Sequence, residues 1–495
     1  MQVRYVVTVF ACVGAFAALA AAGPPVCELQ KLTASDGDSL DGYGFSVAVD
    51  GDLAVSGAWV DEVQGLLSGS AYFLRRVNGE WVEEQKVLAS DGNAWARFGH
   101  AVAIHGDVAV IGAVADDDEC PGEEFCFSGS AYVFRRVDGV WIEEQKLTAS
   151  DAAPQQEFGF TAAVGEGFVA IGAICDSNGC GGSSGCCAGA VYVYRYDGTW
   201  IEEQKLTVPE GELFDKFGNA VAISGDTILI GMQWDDDLGS NAGAAYIFDY
   251  NGSEWIASQK LHASDAVASA DFGFSVSIAG DVALIGAHWD DDPCPGDPLC
   301  RSGAAYVFRY DGELWNEEQK LTPSDGQMQD EFGHSVAIEG DLAVVGARLE
   351  DEICPEDPDC DSGAAYVYRL GGGARNVGWT EVQKVMASDL EDGDFFGISV
   401  SVSGDEIFIG SYLDDDLGTA SGAAYVFGVD DACPQFADCD ADGDVDTHDF
   451  ATFQTCFTGA GTPWVGDCEC SDFDGDSDVD LRDYSEFQSA LTGPR

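Results

Sequence analysis

The chain has 495 residues, with 22 Lys+Arg against 88 Asp+Glu and a formal net charge of -66. Such acidity excludes a nucleic-acid binder, whose affinity comes from Lys and Arg neutralising phosphates, and it disfavours anionic membrane surfaces. A hydrophobic share of 46% is enough for a sizeable core, and 17 Cys point to an oxidising compartment.

At the N-terminus a short basic stretch, Met1 to Arg4, precedes an apolar run from Tyr5 to Leu19 and then Ala20-Ala21-Ala22. This pattern predicts a secretory signal over residues 1–22, because the run is shorter than the roughly 20 residues a spanning helix needs. Cys12 would leave with it. No later segment is apolar enough to span, so a secreted or cell-surface protein without a membrane span is expected.

Residues 23–431 are repetitive. A Gln-Lys-Leu/Val unit starts at Gln30, Gln85, Gln145, Gln204, Gln259, Gln319 and Gln383. An aromatic-Gly unit has its glycine at Gly44, Gly99, Gly159, Gly218, Gly273, Gly333 and Gly397. A Gly-x-x-Tyr unit places Tyr72, Tyr132, Tyr192, Tyr246, Tyr306, Tyr366 and Tyr425. The spacing of 54 to 64 residues marks seven copies of one structural unit. Each copy reads as four short strands, such as Phe98 to Ile104, Val108 to Ala113, Ala131 to Phe134 and Trp141 to Leu147. Tight x-Gly turns join the first strand to the second and the third to the fourth.

Four antiparallel strands repeated seven times predict an all-β, seven-bladed β-propeller. The chain enters on a fourth-type strand (Glu28 to Leu32) and its last repeat stops on a third-type strand (Ala424 to Phe427). The N-terminal strand is therefore expected to complete blade seven and remove two exposed sheet edges. Cys27 and Cys433 flank those strands on one side, and a disulfide between them is a natural lock for the seam.

The succession Phe-Gly, Val-Ala-Ile, Ile-Gly-Ala and Gly-Ala-Ala-Tyr-Val-Phe resembles the FG-GAP repeat, familiar from the propeller of integrin α-subunits. The resemblance covers about 400 residues and implies secretion, ligand binding and adhesion-type roles, without implying an activity. Calcium-binding units of that family carry an Asp-x-Asp-x-Asp-Gly loop between the first two strands. Here a bare two-residue turn stands in its place, so blade calcium sites do not carry over.

The loops following the second and fourth strands should share one face of the disc. An acid always stands four residues after the second-strand glycine: Asp61, Asp116, Asp176, Asp235, Asp290, Glu350 and Asp414. The seven second-to-third loops hold 26 acids, with Arg301 among them; the fourth-to-first loops add 18 acids against Arg97 and Lys216. Two readings stand open: a solvated acidic surface with Asp side chains capping their own turns, or a face on which clustered carboxylates hold Ca²⁺ or a basic partner.

Cys120 with Cys126, Cys294 with Cys300, and Cys354 with Cys360 read as local loop disulfides rather than zinc ligands. Cys175, Cys180, Cys186 and Cys187 allow two more, of undecided connectivity. The recurring Trp81, Trp141, Trp200, Trp255, Trp315 and Trp379 read as packing between blades, and Trp234 and Trp289 as candidate ligand contacts. His100 and His334 share the position after Phe-Gly, a feature of the repeat. No nucleophile elbow, zinc-protease motif or phosphate-cradling loop is present, so no catalytic residue is assigned.

Residues 432–495 differ in composition. Asp438, Asp440, Asp442, Asp446 and Asp449 occupy positions one, three, five, nine and twelve of a calcium loop, with Gly443 at six and the backbone carbonyl of Asp444 at seven. A second copy places Asp472, Asp474, Asp476, Asp480 and Asp483 likewise, with Asp478 at seven and Ser477 in place of the glycine. Two Ca²⁺ ions are expected, each loop leading into a short helix with one apolar face. The duplicated loop-plus-helix with Asp at position twelve resembles a type I dockerin module. That resemblance implies docking to a cohesin-like or surface scaffold, although Thr447-His448 and Leu481-Arg482 differ from many cellulosomal partner-reading pairs.

Together these readings describe a secreted, non-enzymatic binding or adhesion protein, with an extracellular protein or glycan as ligand of the acidic face. A polysaccharide-acting enzyme and a structural surface-layer component are the alternatives.

Overall fold

Each repeat becomes one four-stranded antiparallel sheet, built in chain order from the centre outward. In the first blade the strands are Tyr43–Asp50, Leu53–Ala58, Ser70–Val77 and Glu80–Val87. The computed structural model describes residues 26–117, 126–177, 187–208, 214–291, 300–351, 361–371 and 378–429, together with Cys456, Phe457 and Val479. Within them lie 28 strands in seven sheets. The expected turns are present. Gly106 takes φ +55°, and Asp138-Gly139 takes +53° and +81°, the double left-handed conformation of a two-residue hairpin.

Second strands such as Phe168–Ala173 and Leu342–Ala347 are buried along their whole length. They read as continuous apolar runs because neighbouring blades cover both faces of every sheet. The inner strands approach closely enough to require glycine. Gly99 has φ +92°, and a Cβ there would stand 2.3 Å from the carbonyl oxygen of Ser70 in the preceding blade. Beside it the fully buried Phe98 packs edge-on to Tyr132, with ring centroids 5.4 Å apart.

The repeated glutamine joins one blade to the next. Gln85 Nε2 donates to the Trp141 carbonyl (2.8 Å), while the Trp141 N–H donates to Gln85 Oε1 (3.0 Å). The same two bonds recur from Gln30 to Trp81, Gln145 to Trp200, Gln204 to Trp255, Gln259 to Trp315, and Gln319 to Trp379. The six tryptophans themselves are buried between blades, as the repeat pattern predicts.

Ring closure follows the sequence. The entering strand Val26–Leu32 pairs with the last strand Ala423–Val429, from Val26↔Val429 to Leu32↔Ala424. Gln383 clamps the backbone of Val26 (3.0 and 2.9 Å), so the closing seam repeats the contact made at the other six. Cys27 is disulfide-bonded, but Cys433, its expected partner, lies outside the described residues. Among those residues no helix is long and apolar enough to cross a membrane.

Candidate functional site

Chain direction divides the disc into two faces. First and third strands end at the tight turns, and second and fourth strands end in the longer loops. The entering strand begins, and the last strand ends, on the turn side, where the Val429 N–H donates to the Asp405 carbonyl (2.8 Å). Both described ends of the propeller therefore lie on the turn side, opposite the loop face.

The seven invariant acids of that face are not solvated. Asp61, Asp116, Asp176, Asp235, Asp290, Glu350 and Asp414 are 1–3% exposed. Each meets the lysine of the Gln-Lys unit in its own blade. Lys146 Nζ lies 2.9 Å from Asp116 and 2.9 Å from Asp91, an acid of the preceding fourth-to-first loop. The Tyr132 hydroxyl joins the same two carboxylates, at 2.9 and 2.7 Å, and Lys146 Nζ sits 5.1 Å from the centroid of its ring.

The arrangement recurs around Lys86, Lys205, Lys320 and Lys384. Lys260 pairs with Asp235 and Asp237. In blade seven Lys31 of the entering strand holds Asp389, Asp414 and Asp416, more than 350 residues away in the chain. Burial alone would lower the Lys31 ammonium, but its three carboxylates more than offset this and hold it above the usual lysine value. Burial likewise opposes ionisation of Asp36, yet Lys86 and the Tyr72 hydroxyl keep that carboxyl below its ordinary range. The acid ring is thus an internal lock. The first open reading therefore holds in part: the seven are buried rather than solvated, while Asp61, Asp235 and Asp414 also cap their own turns, accepting from the N–H two residues on at 3.0, 3.2 and 3.2 Å.

Sequence reasoning missed a second ring. The residue before each aromatic-Gly pair is in turn Gly42, Arg97, Glu157, Lys216, Asp271, Glu331 and Phe395, and all seven take φ between +54° and +66°. For the six non-glycines this left-handed state costs about 1–2 kcal/mol each. It is pinned by a recurring backbone bond to the neighbouring loop, as in Arg97 N–H to the Leu67 carbonyl (3.0 Å) and Glu331 N–H to the Arg301 carbonyl (3.1 Å). Because inner strands start here, the ring circles the mouth of the central axis.

Four cations gather at this mouth, each over an aromatic ring. Arg97 lies 5.2 Å from the centroid of Trp59, Lys216 3.6 Å from Trp234, Arg301 4.2 Å from Trp289, and Arg348 5.8 Å from Phe395. Trp234 Nε1 donates to Asp271 (3.3 Å) and Trp289 Nε1 to Glu331 (3.2 Å), while Arg348 Nε donates to the other oxygen of Glu331 (2.9 Å). Burial pushes the Asp271 carboxyl up to about 7. Trp234 and Trp289, singled out from sequence, are half-buried and face their cations here. His100, His288 and His334 lie just below among Phe45, Phe160 and Phe274. Burial holds His100 down to about 4, and holds the other two well below the usual imidazole value.

Cys175 is bonded to Cys187, which fixes one of the two bridges expected in that loop. Cys126, Cys300 and Cys456 are also disulfide-bonded, but Cys120, Cys294, Cys354 and Cys360 lie outside the described residues. So do all twelve calcium-loop aspartates, from Asp438 to Asp449 and from Asp472 to Asp483. Among the described residues no group of three or more His, Cys, Asp or Glu is placed to hold a metal ion.

The molecule is a seven-bladed β-propeller closed by its own N-terminal strand, with internal charge locks beneath the loop face. The sequence profile of the FG-GAP repeat matches residues 27–74, 81–134, 141–194, 200–248, 255–308, 315–368 and 379–427. The chain belongs to that family. A search of curated proteins finds no match.

Proposed function

We propose that this is a secreted, non-catalytic binding protein of the adhesion type. Its loop face meets an extracellular protein or glycan, and its C-terminal module holds it to a cohesin-like or other surface scaffold. The observation that supports this reading is the placement of both described ends on the turn side, opposite the loop face. Acids outside the locks, such as Glu62, Asp236 and Asp415, stand exposed there and favour a partner with basic groups.

The tail is read as two calcium loops, with Asp438, Asp440, Asp442, Asp444, Asp446 and Asp449 in the first. Asp472, Asp474, Asp476, Asp478, Asp480 and Asp483 serve the second. Calcium would fold this segment, since ligand spacing without metal leaves an acidic stretch that repels itself. Calorimetric titration of the full chain with Ca²⁺ should give two binding events, and EDTA should lower ellipticity from the tail while leaving the propeller folded. A heat-silent titration would overturn the calcium assignment. An array of matrix proteins and glycans, probed with the full chain and with a Glu62→Gln, Asp236→Asn, Asp415→Asn triple variant, tests the face. Equal binding by both proteins, or none by either, would sink the acidic-face reading.

A further inference from the structure

Three cations stand apart from the rest. Every other described lysine or arginine has a carboxylate partner. Arg97, Lys216 and Arg301 form no ion pair among the described residues, in a chain of net charge -66. All three stand in loops that border the axial mouth of the loop face, each against a tryptophan. Arg348, the remaining base in the loops of that face, differs from them in being paired with Glu331.

We propose that this mouth is a recognition site for a single carboxylate group, carried by a ligand that is otherwise uncharged, with a sugar acid as the chemical class. Two buried N–H donors there, Arg97 Nε and Trp59 Nε1, have no hydrogen-bond partner, and they sit on the same cation–aromatic pair. Buried donors are rarely left unpaired, and a carboxylate supplies the acceptors these two lack. A third unpartnered buried atom, Asp271 Oδ1, belongs to a side chain 2% exposed and set between Lys216 and Trp234. It would accept from a ligand hydroxyl. The flat faces of Trp59, Trp234 and Trp289 suit the apolar side of a pyranose ring.

The surroundings narrow the class further. A bare metal cation would meet three positive groups that make no ion pair among the described residues, with Glu157 and Asp271 as the nearby acids that act on them. A polyanion would have to lie across the exposed acids Asp38, Glu62, Asp236 and Asp415 of the same face. One charge at the axis satisfies the hub without crowding the rim. The site deepens the reading of the loop face as the ligand side, by giving that face a centre of opposite preference to its rim.

D-glucuronate, glucose and acetate, titrated into the full chain and followed by tryptophan fluorescence and calorimetry, separate the possibilities. Glucuronate should bind saturably and roughly tenfold or more tighter than either glucose or acetate, since each lacks half of the recognised chemistry. Arg97→Gln with Lys216→Gln should weaken glucuronate by about tenfold or more, and Arg301→Gln alone should weaken it measurably. Arg309→Gln, which breaks an ion pair with Glu318 away from the axis, should leave it unchanged. Each variant is read only after its thermal midpoint matches the parent, and the single substitutions replace the double one if that variant unfolds. Glucose binding as tightly as glucuronate, equal affinity in the double variant, or no saturable glucuronate binding up to about 50 mM would overturn the site. A negative titration beside a positive matrix array leaves the acidic-face reading standing; the reverse result removes that reading and keeps the axial site.

Discussion

The blade locks and the axial mouth are built from the same residue types and reach opposite outcomes. In a lock, one lysine meets two or three carboxylates, with a tyrosine hydroxyl on the same acids, and the lysine charge is answered within the blade. At the mouth, cations rest on aromatic faces, and buried polar atoms of Trp59, Arg97 and Asp271 lack partners. The difference separates acids that hold the fold from groups still able to bind something. A net charge of -66 therefore says less about ligand chemistry than it first suggests. The most regular acids are already spent on lysines.

Breaking a lock should have the largest effect. Lys146→Met leaves Asp116, 1% exposed, with Asp91 and no cation. Removing one partner of a buried pair costs about 3–5 kcal/mol, so the denaturation midpoint should fall sharply. A loss under about 1 kcal/mol would show that the lock is hydrated and ornamental.

The pH profile sharpens the contrast next. Asp41, Asp330 and Asp394 stand two residues before the aromatic-Gly pair, and burial pushes them up to about 6, 7 and 6. Asp271 behaves likewise, at about 7. A carboxyl with a raised folded pKa contributes stability that is full below its unfolded value near 4 and lost as pH rises through 6 to 7. Lock acids such as Asp36, Asp151, Asp265, Asp325 and Asp389 are held low by lysine and hydroxyl bonds that outweigh burial. Their stability is present above pH 4 and lost below it. Thermal midpoints should therefore peak in mild acid and fall on both sides, by several degrees between pH 5 and pH 8. A midpoint still rising from pH 5 to pH 8 would contradict the buried carboxyls.

The smallest effect concerns the seams. Gln145→Ala removes both bonds to the Trp200 backbone and should cost about 1–3 kcal/mol, because a partly buried N–H and carbonyl lose their partners. Measured against Lys146→Met by the same denaturation series, it ranks clamp against lock. A clamp variant costing more than the lock variant would reverse the assignment of which contact holds the blades.

Much of the architecture was legible because it is local and repeated. Gly106 and Asp138-Gly139 announce hairpins through their turn chemistry, and a fourth-type strand before a third-type ending announces ring closure. The aromatic-Gly unit announces close packing, since Gly99 admits no side chain. The locks were half-legible: Lys146, Tyr132 and Asp116 each stood at a repeated position, yet nothing in their spacing says that they meet. Their partnership depends on three antiparallel strands aligning Tyr132 with Lys146 and with the end of the second strand.

The axial mouth was not legible. Arg97 and Lys216 were visible as the only bases in their loops, and Arg301 as one of two in its own set, with Arg348. Their separation of 119 and 85 residues carries no hint of proximity. By itself the sequence determined the strand count, the blade count, the turns and the closing strand, because short-range backbone chemistry and a repeated pattern fix those. Only the tertiary structure decided which acids are neutralised and which cations are left unpaired. Closing a ring brings seven distant loops to one axis, and burial there sets the value of every charge.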